Sequence, residues 1–144
     1  MITNIFNKVL VIGAHTDDGE IGAGATISAR PVRVVSSRFC REGKEVHYVA
    51  FSICEESIPK EFPNDITSKE IIKAGSKLGI PQNNIQTLRH KVRKFPENRQ
   101  DILEDMVRLN NTLQPDLVLI HNSFDIHQDH KTIYEEGLRA FKKT

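Results

Sequence analysis

An α/β fold, with a mainly parallel sheet and helices packed on both of its faces, is predicted for this chain by three features. Four short apolar runs rich in β-branched residues alternate with longer segments whose apolar residues recur at helical spacing. The strongest run is continuously apolar rather than alternating, as in strands buried on both faces. At 144 residues, the chain suffices for one domain with a real core and is too short for two ordinary ones.

Lys8 to Gly13 (KVLVIG) reads as the first strand. A first crossover helix follows through Ala23-Gly24-Ala25-Thr26-Ile27. The stretch Ala29 to Ser37 should break it, because Pro31 and three valines are poor helix material. Glu45 to Ser52 is a second strand and Asn84 to Leu88 a weaker third. Between them, Thr67 to Leu78 spaces Ile71, Ile72, Ala74 and Leu78 helically, with Asp65 or Thr67 as N-cap and Gly79 as stop. Glu97 to Leu113 carries Ile102, Leu103, Met106, Val107, Leu109 and Leu113 on one broad face. Pro115 ends that helix before a fourth strand, Asp116 to His121. His130 to Lys142 is the last helix, with Ile133, Leu138 and Phe141 on one side. This alternation argues for right-handed βαβ units in a Rossmann-like three-layer α/β/α arrangement, a single domain over residues 1–144. Four strands leave an edge to be covered by further chain or by a partner, so association into homo-oligomers is an open expectation.

Composition narrows the function classes. The formal net charge is +1, so nothing in the balance calls for nucleic acid or an anionic membrane. Arg89, Lys91, Arg93 and Lys94 around His90 form the densest basic group and read as a solvated loop. No apolar stretch approaches a membrane span, and the N-terminus lacks a basic start before an apolar signal core. Cys40 and Cys54 are isolated, which suits free thiols in a reducing compartment and makes the cytoplasm the expected location.

The chemistry gathers in two polar clusters, His15-Thr16-Asp17-Asp18 and His127-Gln128-Asp129-His130, each just beyond a predicted strand. They lie more than a hundred residues apart and meet only if the fold brings two strand ends together, as parallel sheets do at their carboxyl edge. Imidazole and carboxylate bind a divalent, zinc-like ion while leaving one position for water. His15 and Asp18, three residues apart in a turn, can face one centre, and His130 completes a three-ligand set. At a helix start the dipole disfavours imidazolium, which keeps His130 neutral. Asp17 then faces the open position as a base. His127, with Asp125 and Asp129 near it, is expected in its protonated form as an oxyanion donor or acid. Each piece also has an ordinary reading: Asp-Asp after a strand as a loop or helix cap, and His121 as a satisfied packing histidine. Spacing alone leaves both readings open.

Gly13-Ala14-His15-Thr16-Asp17-Asp18, the small-residue stretch Gly22 to Ile27 and the downstream His127-Gln128-Asp129-His130 together resemble the LmbE/PIG-L family of zinc-dependent N-deacetylases. The resemblance runs from Lys8 to about Phe141. It implies Zn2+ bound by His15, Asp18 and His130, Asp17 as general base, and His127 as electrophilic histidine steadied by Asp129. It further implies removal of the N-acetyl group from an N-acetylglucosamine-type amino sugar or its conjugate, a small-molecule substrate. Thr16 replaces the family's usual proline, and Gly19 its frequent glutamate, with Glu20 one position on. Members usually continue well past the late histidine motif, so the alternative expectation is a catalytically inactive binding domain that lacks part of its pocket. A nucleotide-binding reading, resting on Gly13, Gly22 and Gly24, ranks last: their spacing does not fit GxGxxG, and the Asp-Asp pair would repel a pyrophosphate. Asn122, Ser123, Arg89 and Glu55 are near enough to strand ends to touch substrate, but read first as ordinary polar loop residues.

Overall fold

A computed structural model of the chain describes residues 5–27 and 39–142. Among the described residues, four strands and four helices alternate: β1 (Lys8–Gly13), α1 (Asp18–Ile27), β2 (Glu45–Ala50), α2 (Ile66–Lys77), β3 (Ile85–Thr87), α3 (Arg99–Leu113), β4 (Leu117–Leu119) and α4 (Gln128–Ala140). The sheet is entirely parallel, in the order β3-β2-β1-β4. The chain builds outward from β1 through β2 to β3, then returns so that β4 pairs with β1 on the other side. This reversal opens a crevice at the carboxyl ends of β1 and β4, where ligands collect in open α/β sheets.

Alternation along β1 divides the core. Leu10 and Ile12 face a cluster with Val49, Phe51, Phe95, Ile102 and Met106 of α3, and Ile133 of α4. Val9 and Val11 face the other way, against Val46, Tyr48, Ile71 of α2 and, at the margin, Ala23 of α1. The three-layer α/β/α arrangement follows from this period of two. Burying β1 on both faces explains its unbroken apolar run.

Several boundaries differ from expectation. The ladder of β2 ends at Ala50 rather than Ser52, although Phe51 and Ser52 still donate their N–H groups to Gly13 and Ala14 carbonyls at 3.0 and 2.9 Å. The strand β4 keeps only Leu117–Leu119 of the six residues expected, although the Asp116 N–H still donates to the Lys8 carbonyl at 2.9 Å. Helix α3 begins at Arg99 after a 3-10 turn over Phe95–Asn98, and α4 begins at Gln128, so His127 is its N-cap. Asp65 stands at the N-cap of α2, but its carboxylate pairs with Lys69 at 2.7 Å instead of capping. Gly79 terminates α2 as expected, with φ +93 and Ile80 N–H returning to the Gly75 carbonyl at 3.0 Å. The helix α1 forms through Ile27, and the stretch Ala29 to Ser37 lies outside the described residues.

Cys40 and Cys54 are free and half-buried, and burial pushes both thiols up. Among the described residues, no helix is long and apolar enough to cross a membrane.

Candidate metal centre

The turn after β1 is tight because Gly13 has no side chain: a Cβ there would stand 2.8 Å from the His15 carbonyl oxygen. The chain doubles back so that the His15 N–H donates to Asp18 Oδ2 at 2.8 Å, and Asp18 opens α1. Tyr48 of β2 supports this turn from below. Its hydroxyl accepts the Gly19 N–H at 3.0 Å and lies 3.1 Å from the Thr16 carbonyl and 2.7 Å from Glu20 Oε2. The ring fills the space of a side chain at 19, where a Cβ would meet it at 2.5 Å. Glycine at 19 and tyrosine at 48 are thus one packing solution. Burial, then the Glu20 carboxylate, pushes the Tyr48 hydroxyl far above its usual range, while burial raises Glu20. Tyr48→Phe keeps the packing but strands these groups, so urea unfolding is expected to show a loss of about 1–3 kcal/mol.

The two clusters meet. His130 Nε2 lies 3.2 Å from His15 Nδ1 and 3.4 Å from Asp18 Oδ1, and His15 Nδ1 lies 3.6 Å from Asp18 Oδ2. Behind each imidazole stands a carboxylate. His15 Nε2 faces Asp129 Oδ2 at 3.1 Å, and His130 Nδ1 faces Asp125 Oδ2 at 2.8 Å. An ionised carboxylate only accepts, so these contacts place the ring protons on the outer nitrogens. The inner nitrogens then present lone pairs to one another and to Asp18. Lone pairs so close repel unless a cation stands between them. Bonds of about 2.0–2.1 Å at tetrahedral angles put neighbouring ligand atoms about 3.4 Å apart, close to the His15–His130 separation and to the distance of each ring from one or the other oxygen of Asp18. The residues fit a divalent ion, with the outer carboxylates in the orienting position usual behind metal-bound histidines.

Asp18 is held below its ordinary range: burial raises it, but the contacts from His121 and the His15 N–H outweigh that. Asp125 is lowered by the His127 N–H and by His130. Asp17 is exposed, and its carboxylate makes no hydrogen bond or ion pair among the described residues.

Two expectations need correction. The buried Asp129 carboxylate does not reach back to His127; it accepts from His15, from Arg93 N–H at 2.6 Å and from Phe95 N–H at 3.3 Å. It is the backbone N–H of Asp129 that donates to His127 Nδ1, at 3.1 Å, as the helix cap. Nor does His127 shift in the direction expected of a protonated ring. Burial first, then the nearby His130 and His15, pull it below its usual value and outweigh Asp129 and Asp125. With Nδ1 accepting, the neutral ring carries its proton on Nε2.

Sequence reasoning took His121 for a packing histidine and gave Asp125 to His127. His121 Nε2 accepts the Ala14 N–H at 3.0 Å, as a satisfied histidine does, but it also lies 3.1 Å from Asp18 Oδ2 and its ring stacks on His130 at 3.9 Å. Among the described residues, two triads have donor atoms within 4.8 Å of one another: His15, His127 and His130, and Asp18, His121 and His130. The only signal for His121 was its place at the end of a strand. The basic loop is solvated at Arg89, Lys91, Arg93 and Lys94, whereas His90 turns inward to Asp105 at 2.6 Å and stacks on Phe51. Arg89 pairs with Glu55, and Asn122 caps its own turn through the Phe124 N–H at 2.9 Å.

Solved structures share this fold. N,N'-diacetylchitobiose deacetylase from Pyrococcus horikoshii superposes with a TM-score of 0.79 at 24% identity, over 95% of this chain and 50% of its own. A deacetylase triple mutant from the teicoplanin biosynthetic pathway gives 0.73 at 17% identity, over 92% and 58%. The hydratase GalB, which acts on 4-carboxy-2-hydroxymuconate in Pseudomonas putida, gives 0.70 at 21%, over 93% and 55%. The chain therefore spans little more than half the length of these proteins. At such identities they establish the fold alone, and the hydratase shows that one fold carries different chemistries. No curated protein matches the chain significantly. Residues 10–141 match the family described as PIG-L, GlcNAc-PI de-N-acetylase, and the chain belongs to that family.

Proposed function

We propose that the chain hydrolyses the acetamide of an N-acetylglucosamine-type amino sugar or its conjugate, at a zinc site formed by His15, Asp18 and His130. The observation that carries this reading is the convergence of those three donors at 3.2–3.6 Å, with a carboxylate behind each histidine. The same donor set would accept iron or cobalt, and zinc rests on the family. A divalent ion there supplies a Lewis acid and brings the pKa of a water it binds to about 7.

The chain's own residues do the rest. Asp17, exposed and without a partner among the described residues, takes a proton from the attacking water as the new C–O bond forms. His127, neutral and capping α4, donates its Nε2–H to the carbonyl oxygen as negative charge grows there. When the C–N bond breaks, Asp17 returns its proton to the departing nitrogen, and acetate and the free amine leave.

The test is acetate release from an N-acetylglucosaminyl compound by the zinc-loaded chain, beside Asp17→Asn. The variant is expected to keep its metal and lose about 10²–10⁴-fold in turnover. Loss of metal in Asp17→Asn would make Asp17 a ligand instead. Metal retained with no acetate released by the parent chain would favour a binding domain.

A further inference from the structure

Beyond their last ladder pair, β1 and β4 are joined once more, by a side chain. They pair with Val9 opposite Leu117 and Val11 opposite Leu119, and the same register would set Gly13 opposite His121. The ladder stops short of that point. The N–H of the buried Ala14 donates to His121 Nε2 at 3.0 Å, where a continued ladder would use a carbonyl. The next N–H along the chain, that of His15, donates to Asp18 Oδ2 at 2.8 Å. Two consecutive amides of one turn thus gather two acceptors, which lie 3.1 Å apart. The His121 ring lies on His130, with centroids 3.9 Å apart and planes 14° from parallel. His121 and Asp18 also wall a groove of about 510 Å³ between α1 and β4, which neither His15 nor His130 lines.

We propose that His121 is a positioning residue of the metal centre and not a fourth ligand. It fixes the turn that bears His15 and Asp18 to the ring of His130, so that the three donors stand converged before an ion arrives. The inference rests on the reading of those three residues as the ligands.

Proximity alone would make His121 a ligand, since its donor atom lies within 4.8 Å of those of Asp18 and His130. The Ala14 amide argues against it. An N–H aimed at Nε2 occupies the lone pair that an ion would need and presents a positive hydrogen in its place. With Nε2 accepting, the ring carries its proton on Nδ1. The stack supplies the second half of the role. The His130 ring is covered on one face by His121 and held at Nδ1 by Asp125, which leaves Nε2 aimed at His15 and Asp18. Removing the His121 ring would also join the groove to the cluster and admit water behind the ligands.

Three substitutions separate these functions. His121→Ala removes acceptor and stack together, and His121→Phe keeps the stack alone. His121→Gln keeps an acceptor within reach of the Ala14 N–H and a flat group over His130. Zinc affinity is read by competition with a chromophoric chelator, and the visible bands of the cobalt-loaded chain report its ligands. Alanine and phenylalanine are expected to weaken zinc about 10–100-fold, the usual cost of losing a group that orients metal ligands. Glutamine is expected to recover most of that loss, with cobalt bands matching those of the parent.

A residue serving stability alone would lower the urea midpoint of the metal-free chain and leave zinc affinity unchanged, and that result overturns the proposal. Cobalt bands in His121→Gln that depart from the parent's overturn it too, because a ligand has then been lost. Should the variants not fold, the parent decides. Long-range proton–nitrogen NMR of the zinc-loaded chain is expected to find His121 protonated at Nδ1 and free of metal at Nε2. A proton or zinc on Nε2 overturns the proposal. A parent chain that takes up no ion overturns the centre and this role together. Normal uptake with unchanged affinity in His121→Ala overturns the role alone.

Discussion

Replacing His130 by alanine is expected to abolish metal binding, with zinc per folded chain falling from about one to none. His130 is where the cluster closes. It belongs to both donor triads, its Nε2 faces His15 and Asp18, and its Nδ1 is oriented by Asp125. Without it neither triad keeps three donors: His127 is left with His15, and His121 with Asp18. The half-buried ring is not part of the hydrophobic core, so far-ultraviolet circular dichroism of the variant should remain that of the parent. Elemental analysis beside that spectrum checks the prediction. A tight stoichiometric ion retained in a folded His130→Ala would overturn the ligand assignment.

The second large effect is expected at Asp129. Its fully buried carboxylate joins three parts of the molecule: the β1 turn through His15, the loop after β3 through Arg93 and Phe95, and α4 on which it stands. Arg93 is held at φ +65 where its N–H meets this carboxylate. Alanine leaves two backbone N–H groups and an imidazole N–H without an acceptor. At about 1–3 kcal/mol for each stranded donor, a loss of at least about 3 kcal/mol is expected in urea unfolding. Asparagine keeps an oxygen but not the charge, so it should cost less stability. It is expected to weaken zinc about 10–100-fold, as losing the partner of a metal-bound histidine usually does. A competition titration with a chromophoric chelator measures this. Unchanged affinity in Asp129→Asn would confine Asp129 to holding the loop.

Both predictions turn on contacts between segments more than thirty residues apart, and there the reach of the sequence ends. The strands were legible because burial on both faces demands an unbroken apolar run, as in Val9 to Ile12. The helices were legible because one-sided burial demands a helical period, which Ile102, Met106 and Leu109 supply. Clusters at two predicted strand ends could meet in a parallel sheet, and His15, Asp18 and His130 do converge. Carboxylate partners were not legible. From spacing, Asp125 and Asp129 both belong to His127, two residues from each. In the molecule the helix cap uses the Asp129 N–H for His127, which leaves its side chain free to turn inward to His15.

The chain's own pattern therefore determined the layers, the parallel sheet and the residue types that could hold an ion, because periodicity and ligand chemistry are local properties. Tertiary structure alone decided which carboxylate stands behind which imidazole. It alone brought His121 against Asp18, and it made glycine at 19 the counterpart of Tyr48. Hydrogen bonds reach about 3 Å, so a displacement of one residue along a strand or helix reassigns every partner.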